Sequence, residues 1–167
     1  MIEKVNRKFL EIKSLSKLKE AVKPDESYNL YLTSTKDFQL SKFLYKQIGK
    51  KYCWIDRLAW SDNQWLDYIN NKNLLTYILK NNEDIMGYFE LILHKNKKEV
   101  EITYFGILEE YFGKKLGGYL LTKAIKTSFS FGVNRVWVHT CSLDHKNALN
   151  NYLSRGMTIF KSESIKL

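Results

Sequence analysis

The hydrophobic period of this chain changes abruptly within residues 99–121, EVEITYFGILEEYFGKKLGGYLL. That change constrains the fold more than any other feature. The first part alternates as a half-buried strand does, with Val100, Ile102 and Tyr104 on one face and Glu99, Glu101 and Thr103 on the other. A short acidic link, Glu109-Glu110, leads into Gly113-Lys114-Lys115-Leu116-Gly117-Gly118. Beyond it Leu116, Leu120 and Ala124 share a helical face, with Leu121 and Ile125 beside them. Strand, glycine-rich turn and helix in that order aim the unbonded N–H groups of a helix N-terminus at open space. Such a terminus is a site for phosphate, because its donors lack intrahelical partners and the dipole adds partial positive charge. Glycine lets a ligand approach the backbone, and Lys114 and Lys115 add charge. The same order also describes an ordinary strand-to-helix turn, so the turn alone leaves both readings open.

The rest of the chain supplies a sheet and its helices. Residues 7–12 read as a first strand and Ser14 to Val22 as a helix capped by Ser14, before Pro24 and Asp25 break it. Tyr28 to Thr33 is β-rich. Asp37 opens a helix to about Ile48 that carries Leu40, Phe43, Leu44 and Ile48 on one side. Ser61 and Gln64 form a capping box for a helix from Asp62 to about Asn70, with Trp65, Leu66 and Ile69 inward. Three strands follow as a meander, Leu74 to Lys80, Ile85 to His94 and Glu99 to Ile107, joined by short polar turns. The apolar positions 100, 102 and 104 then change phase to 105 and 107, which marks a break in the strand. A helix from Gly117 to about Phe131 ends at Gly132. The strand Val133 to Cys141 returns to the sheet by that helical crossover, which favours parallel placement beside the third meander strand. Ser142 or Asp144 caps a last helix to Arg155, Gly156 closes it, and Met157 to Ser162 is a final strand.

Composition narrows the function. A chain of 167 residues, 44% hydrophobic and 27% charged, is a globular chain of one domain. It has no apolar run long enough for a bilayer, and Glu3, Lys4, Asn6 and Arg7 break any leader pattern, so the expected location is the cytoplasm with no membrane partner. Cys53 and Cys141 are too few for a disulfide framework, and His94, His139 and His145 are scattered, so no metal is expected. The net charge of +9 admits a polyanion such as nucleic acid, or the phosphates of a cofactor. Lysines spread along the whole chain favour a solvated surface and no nucleic-acid partner.

Residues 99–121 resemble the acyl-CoA-binding segment of the GCN5-related N-acetyltransferase superfamily. The family pattern is Arg/Gln-x-x-Gly-x-Gly/Ala after a strand ending in Leu-x-Val. Here Phe105-Gly106-Ile107 stands at the strand end, and Gly113 and Gly117 fall in place. Phe112 replaces the Arg/Gln, and Lys115 replaces the middle glycine. Downstream, Tyr152-Leu153-Ser154-Arg155-Gly156-Met157 resembles the family's Tyr-x-x-x-Gly-Phe. The two matches lie within residues 85–161, about half the chain. The resemblance implies an α/β (α+β) fold, a mixed, mostly antiparallel central sheet flanked by helices, with a splayed cofactor-binding strand pair. It implies one acyl-CoA N-acyltransferase-like domain over 1–167, with acceptor-side elements in 1–70 and the cofactor core in 74–161.

The implied activity is transfer of an acetyl group from acetyl-CoA directly to a primary amine. That chemistry needs the thioester held and polarised, the amine deprotonated, and the leaving thiolate protonated. By the resemblance, the cofactor residues are Phe105, Gly106, Ile107, Gly113, Lys114, Lys115, Leu116, Gly117, Gly118 and His145, which stands where the family often has Asn. Glu101 matches the glutamate that deprotonates the amine through water in the histone acetyltransferase branch, with Glu90 on the neighbouring strand as its reserve. Tyr152 is the matching acid for the thiolate, since a phenol stays protonated at neutral pH. The aromatic-dense segment with Trp54, Asp56, Arg57 and Trp60 stands where the family builds its acceptor wall, to which Glu90 also belongs. Packing and an Asp56–Arg57 ion pair account for the same residues. The expected acceptor is an amine-bearing small molecule or peptide, and the expected state a monomer or homodimer. The alternative is a non-catalytic CoA-binding or regulatory module, which binds the cofactor without turnover.

Overall fold

Alternating apolar residues build seven strands that hydrogen-bond into one sheet, seen in a computed structural model that describes residues 4–166. In chain order the elements are β1 (Lys4–Ile12), β2 (Leu30–Thr35), α1 (Phe38–Gly49), α2 (Asp62–Ile69), β3 (Leu74–Asn81), β4 (Asp84–His94), β5 (Glu99–Ile107), α3 (Leu116–Phe129), β6 (Arg135–Cys141), α4 (Ala148–Ser154) and β7 (Thr158–Lys166). The sheet order is β2-β3-β4-β5-β6-β1-β7. Every neighbouring pair is antiparallel except β5 and β6, which the α3 crossover sets parallel. No helix among the described residues is long and apolar enough to cross a membrane.

Two cores sit on opposite faces of this sheet. The larger lies under α3, where Leu120, Leu121, Ala124 and Ile125 pack against Leu10, Phe89, Val100, Ile102 and Val136. The smaller lies under α1, where Leu44 and Ile48 meet Ile78, Tyr88 and Leu108. At roughly 1.5–3 kcal/mol for each fully buried large apolar side chain, the α3 side carries most of the hydrophobic stabilisation. Local chemistry sets the helix starts. The Asp37 carboxylate accepts from the N–H groups of Gln39 and Leu40 to open α1. Ser61 and Gln64 complete the capping box of α2.

Several sequence expectations change in the fold. Ser14 caps only a single 3-10 turn, Leu15–Lys17, not a helix to Val22. The segment behind it is drawn out by tertiary hydrogen bonds, Lys19 N–H to the Arg155 carbonyl at 3.0 Å and Ala21 N–H to Thr122 Oγ1 at 3.0 Å. The first strand starts at Lys4 and lies between β6 and β7, deep in the sheet. Phe43 and Leu66, expected inward, are exposed, because α1 and α2 each bury a narrower stripe than their apolar positions suggest. The last helix is shorter than expected. Asn147, with no side-chain cap, stands at its start. Asp144 instead accepts from Thr140 Oγ1 at 2.6 Å and the Cys141 N–H at 3.0 Å.

The Tyr152–Gly156 stretch shows why its last residue is glycine. Gly156 has φ +96°, and a Cβ there would collide with the Lys17 carbonyl of the drawn-out segment. Both the backbone sign and the close approach demand glycine. Gly156→Ala should therefore lower unfolding free energy by about 2 kcal/mol or more, since left-handed strain alone costs about 1–2 kcal/mol. Urea denaturation of the two proteins measures the difference.

Candidate active site

The site begins with one extra residue. Along the β4–β5 ladder Glu90 faces Tyr104, and the next residue, Leu91, faces Ile102, which leaves Thr103 bulged out of the pairing. The bulge reverses the facing of the residues beyond it. Val100 and Ile102 point into the α3 core, whereas Tyr104 turns to the α1 side and meets Tyr45 and Trp54. Tyr104 therefore does not share the face of Val100 and Ile102 that simple alternation assigns to it. β6 pairs with β5 only from Glu99 opposite Arg135 to Ile102 opposite Val138, and then stays with β1 as far as Cys141. Past the bulge the two parallel neighbours part. The expected splayed pair is present, and it opens where the alternation changes phase.

A buried ion pair holds the bulge. Both terminal nitrogens of Arg57 donate to the Glu90 carboxylate, at 3.1 and 2.9 Å, and Tyr68 Oη adds a third donor at 2.6 Å. Thr103 Oγ1 donates to the same carboxylate at 2.8 Å and to the Glu90 carbonyl at 3.1 Å. The Arg57 guanidinium also lies over the Tyr68 and Tyr104 rings, at 4.1 and 4.4 Å from their centroids. Burial works against its charge, and Glu90 outweighs that, so Arg57 is raised and stays protonated. Burial and then the Glu90 charge likewise raise Tyr68. Arg57 pairs with Glu90 and not with Asp56. Glu90 has four donors on one neutralised carboxylate.

A cleft of 1320 Å³ runs through the opened strands. Phe105, Gly106 and Ile107 form its β5 wall, and Glu101 lines the narrow end. At the wide end lie Gly113, Lys115, Leu116, Gly117 and Gly118. Tyr152 and His145 line the opposite wall, and Trp54, Asp56 and Arg57 the α1–α2 rim. Lys114, Trp60 and Glu90 do not line it. The Lys114 ammonium rests 5.6 Å from the Tyr111 ring centroid, Trp60 packs edge-on against Trp65 and Tyr68, and Glu90 is buried in its ion pair. Gly106 serves packing too, since a Cβ there would collide with Ile48 of α1.

The wide end fits an anion. Lys115 occupies the N-cap of α3 with no side-chain hydrogen bond, so the first N–H groups of this fourteen-residue helix have no capping side chain. A Cβ on Gly113 would meet nothing within 4 Å, and one on Gly117 only Asn151 Nδ2 at 3.6 Å, so the backbone faces open space. Lys115 itself is left-handed, φ +59°. It keeps the backbone shape for which the family pattern has glycine. Phe112, at the Arg/Gln position, sets its ring edge-on to His145, centroids 5.2 Å apart, and Tyr52 approaches the same imidazole at 6.0 Å. His145 precedes α4, where its Nδ1 accepts from the Asn147 N–H at 3.1 Å. Tyr152 is buried 6.3 Å from the Phe105 ring, and burial followed by the Asp144 charge raises its pKa.

At the narrow end Glu101 has a partner unlike that of Glu90. Its Oε2 lies 3.1 Å from His94 Nε2, with no arginine on it, and its side chain is 18% exposed. On the rim, Asp56 accepts from Tyr45 at 2.7 Å and from Tyr104 at 2.8 Å. Burial, opposed by Arg57 and reinforced by Asp56, pushes Tyr45 up to about 12, while burial and then Asp56 raise Tyr104. Sequence reasoning missed Lys146, Arg155, His139 and Arg7, which also line the cleft. Nothing local marks them, because β1 and the β6–α4 loop join the site only through the sheet order. Among the described residues no three His, Cys, Asp or Glu side chains gather as a metal-holding group.

A mixed sheet split at a bulge, with a glycine-rich turn and helix at the wide end of the split, defines a class of α/β fold organised on an opened strand pair. Residues 25–157 match the Acetyltransferase (GNAT) family, and the chain belongs to that family. No curated protein matches the sequence. Among solved structures, a GCN5-related N-acetyltransferase from Sphaerobacter thermophilus aligns with TM-score 0.66 at 13% identity, over 97% of this chain and 51% of its own. An IAA acetyltransferase from Bacillus cereus aligns with TM-score 0.59 at 22% identity, over 80% of this chain and 79% of its own. An aminoglycoside acetyltransferase from an uncultured soil metagenomic sample aligns with TM-score 0.62 at 14% identity, over 75% and 86%. At these identities the likeness is one of fold. The chain spans 61% and 51% of the length of the first two solved structures it resembles.

The left-handed Lys115 gives a direct test of the turn. Lys115→Gly should be more stable than Lys115→Ala by about 1 kcal/mol, because a Cβ in the left-handed region costs about 1–2 kcal/mol and glycine returns part of that as unfolded-state entropy. Paired urea titrations read the difference. Equal stabilities would mean that the turn relaxes out of the left-handed conformation.

Proposed function

We propose that the chain is an acetyl-CoA-dependent N-acetyltransferase whose acceptor is a primary amine. One observation carries the reading: a single cleft joins the uncapped α3 terminus, the opened strand pair and Glu101. Family membership and the acetyltransferase neighbours support it. The N–H groups at Gly113 and at the start of α3 would hold the pyrophosphate, with Lys115, Lys146 and Arg155 supplying charge. The Phe105–Ile107 backbone, no longer paired to β6, would take the pantetheine arm as an added strand, with a backbone N–H near Ile107 polarising the carbonyl. Acetyl-CoA supplies the activated thioester carbon.

Glu101 takes one proton from the acceptor ammonium through water, and the freed lone pair attacks the thioester carbon to make the C–N bond. As the C–S bond breaks, the second proton shed by that nitrogen passes through solvent and makes good the one Tyr152 gives up. Tyr152 delivers its phenolic proton to the departing sulfur. Its raised pKa keeps that proton in place across the neutral range. Glu90, neutralised by Arg57, keeps the strands apart and moves no proton. His145 and Phe112 form the lip of the cofactor half.

The first test is thermal unfolding with and without acetyl-CoA. A ligand at a hundredfold excess over Kd adds about 2.7 kcal/mol of stability. The shift should vanish in a folded Gly117→Trp variant, since that position has room for a side chain only in the space assigned to the cofactor. No shift in the unmodified protein at millimolar acetyl-CoA overturns the reading. With an amine acceptor, Glu101→Gln and Tyr152→Phe should each lower kcat by roughly 10²-fold or more at saturating substrate. Unchanged turnover removes that residue from the mechanism. Binding without transfer to any amine would identify a non-catalytic CoA-binding module.

A further inference from the structure

The acceptor half of the cleft carries a second binding group that the transfer chemistry does not use. Asp56 sits on the rim, exposed to the cleft, with phenols as its partners: Tyr45 donates to Oδ1, and Tyr104 reaches both oxygens at 2.8 Å. Among the described residues no lysine, arginine or histidine forms an ion pair with it, and the neighbouring Arg57 is consumed by Glu90. The indole of Trp54 lines the same cleft and packs on the two phenols that hold this carboxylate, edge-to-face with Tyr104 at 4.7 Å and tilted against Tyr45 at 5.7 Å. Trp54 is fixed there, because it fills the space that a Cβ on Gly49 would need. A charged carboxylate beside an aromatic face is the chemistry that holds an organic cation.

From this geometry we infer that Asp56 and Trp54 bind a second ammonium group of the acceptor, so that the preferred substrate is a diamine or polyamine rather than a monoamine. The inference rests on the acetyltransferase reading for the identity of the reacting nitrogen. A nucleophilic nitrogen has to be neutral when it attacks, whereas a fixed carboxylate favours the ammonium form of any amine beside it. Asp56 therefore suits a group that is held, and Glu101 the group that reacts. The two are separated along β5: Tyr104, which holds Asp56, lies two ladder steps beyond Glu101 across the bulge, about 7 Å of strand. A chain of several methylenes between two nitrogens spans that separation. The charges divide accordingly. Lys115, Lys146 and Arg155 line the half read as the cofactor's, while on the acceptor side Arg7 and Arg57 are paired with Glu163 and Glu90 and Glu101 lies against His94, which leaves Asp56 as the carboxylate with phenol partners alone among the described residues.

The test compares hexamethylenediamine with n-hexylamine and aminohexanol, which match its length but carry one charge. Each is titrated calorimetrically into the protein with CoA present. The diamine should bind about tenfold or more tightly than either single-charge amine. Asp56→Asn, checked for fold by circular dichroism, should bring the three within about twofold. Equal affinities in the unmodified protein overturn the inference without recourse to any variant, and a diamine preference that survives Asp56→Asn overturns the assignment to this carboxylate. Acetyl-CoA binding is read separately by thermal shift. A protein that binds acetyl-CoA yet shows no diamine preference loses this inference alone. One that prefers the diamine but gains no stability from acetyl-CoA loses the transfer reading and keeps the cation site.

Discussion

Thr103 has no partner residue on β4, and its hydroxyl is tied to the carboxylate that Arg57 neutralises. Were Thr103 paired as its neighbours are, Tyr104 would fall opposite Phe89 and face the α3 core, and Phe105 would turn away from Tyr152. Remove Arg57 and a carboxylate with 1% exposure would be left charged without a partner, a change that costs several kcal/mol wherever it has been measured. Hydrogen bonds and charge thus tie the bulge together at one point.

That constraint also ties the two halves of the cleft together. Arg57 lies next to Asp56 in the α1–α2 loop, so the residue that holds the strand bulge is one position from the rim carboxylate. α1 rests on β5 closely enough that Gly106 has no room for a side chain beside Ile48. The α1–α2 rim and the β5 wall are therefore packed against each other, which suits the fixed separation that the proposed two-substrate reaction requires. On the other side Gly118 has no room for a Cβ beside Arg155, which joins α3 to the end of α4.

The meander, the α3 crossover and both capped helices were legible in sequence because their signals are local: period, turn residues, and caps. The bulge was half legible. A phase change between Tyr104 and Phe105 betrays it, but the facing of Tyr104 is not fixed until the extra residue is located at Thr103. The Ser14–Val22 helix failed for the opposite reason. Its apolar spacing is helical, yet Lys19 and Ala21 donate their N–H groups to residues more than a hundred positions away, and those bonds outweigh local propensity. The seat of β1 between β6 and β7 has no local signature at all, so Arg7 and His139 reached the site unforeseen.

The departures from the family pattern look, in sequence, like damage to a cofactor site. In the structure they are of two kinds. Lys115 stands where the family pattern has glycine and holds a left-handed backbone that glycine adopts freely, so the cost is conformational strain borne by one residue. Phe112 and His145 are two departures on separate elements whose rings touch edge to face. An arginine or glutamine facing an asparagine would join these walls by hydrogen bonds. Here an aromatic contact joins them, with Tyr52 extending it toward the acceptor side. The exchange is between compensating partners, and it substitutes an apolar lip for a polar one at the mouth of the cofactor half. Under the proposed function, charge for the phosphates falls to Lys115, Lys146 and Arg155, which line the same cleft. The strain at Lys115 accordingly has a use: an ammonium is carried on the turn itself, where the family pattern offers backbone alone.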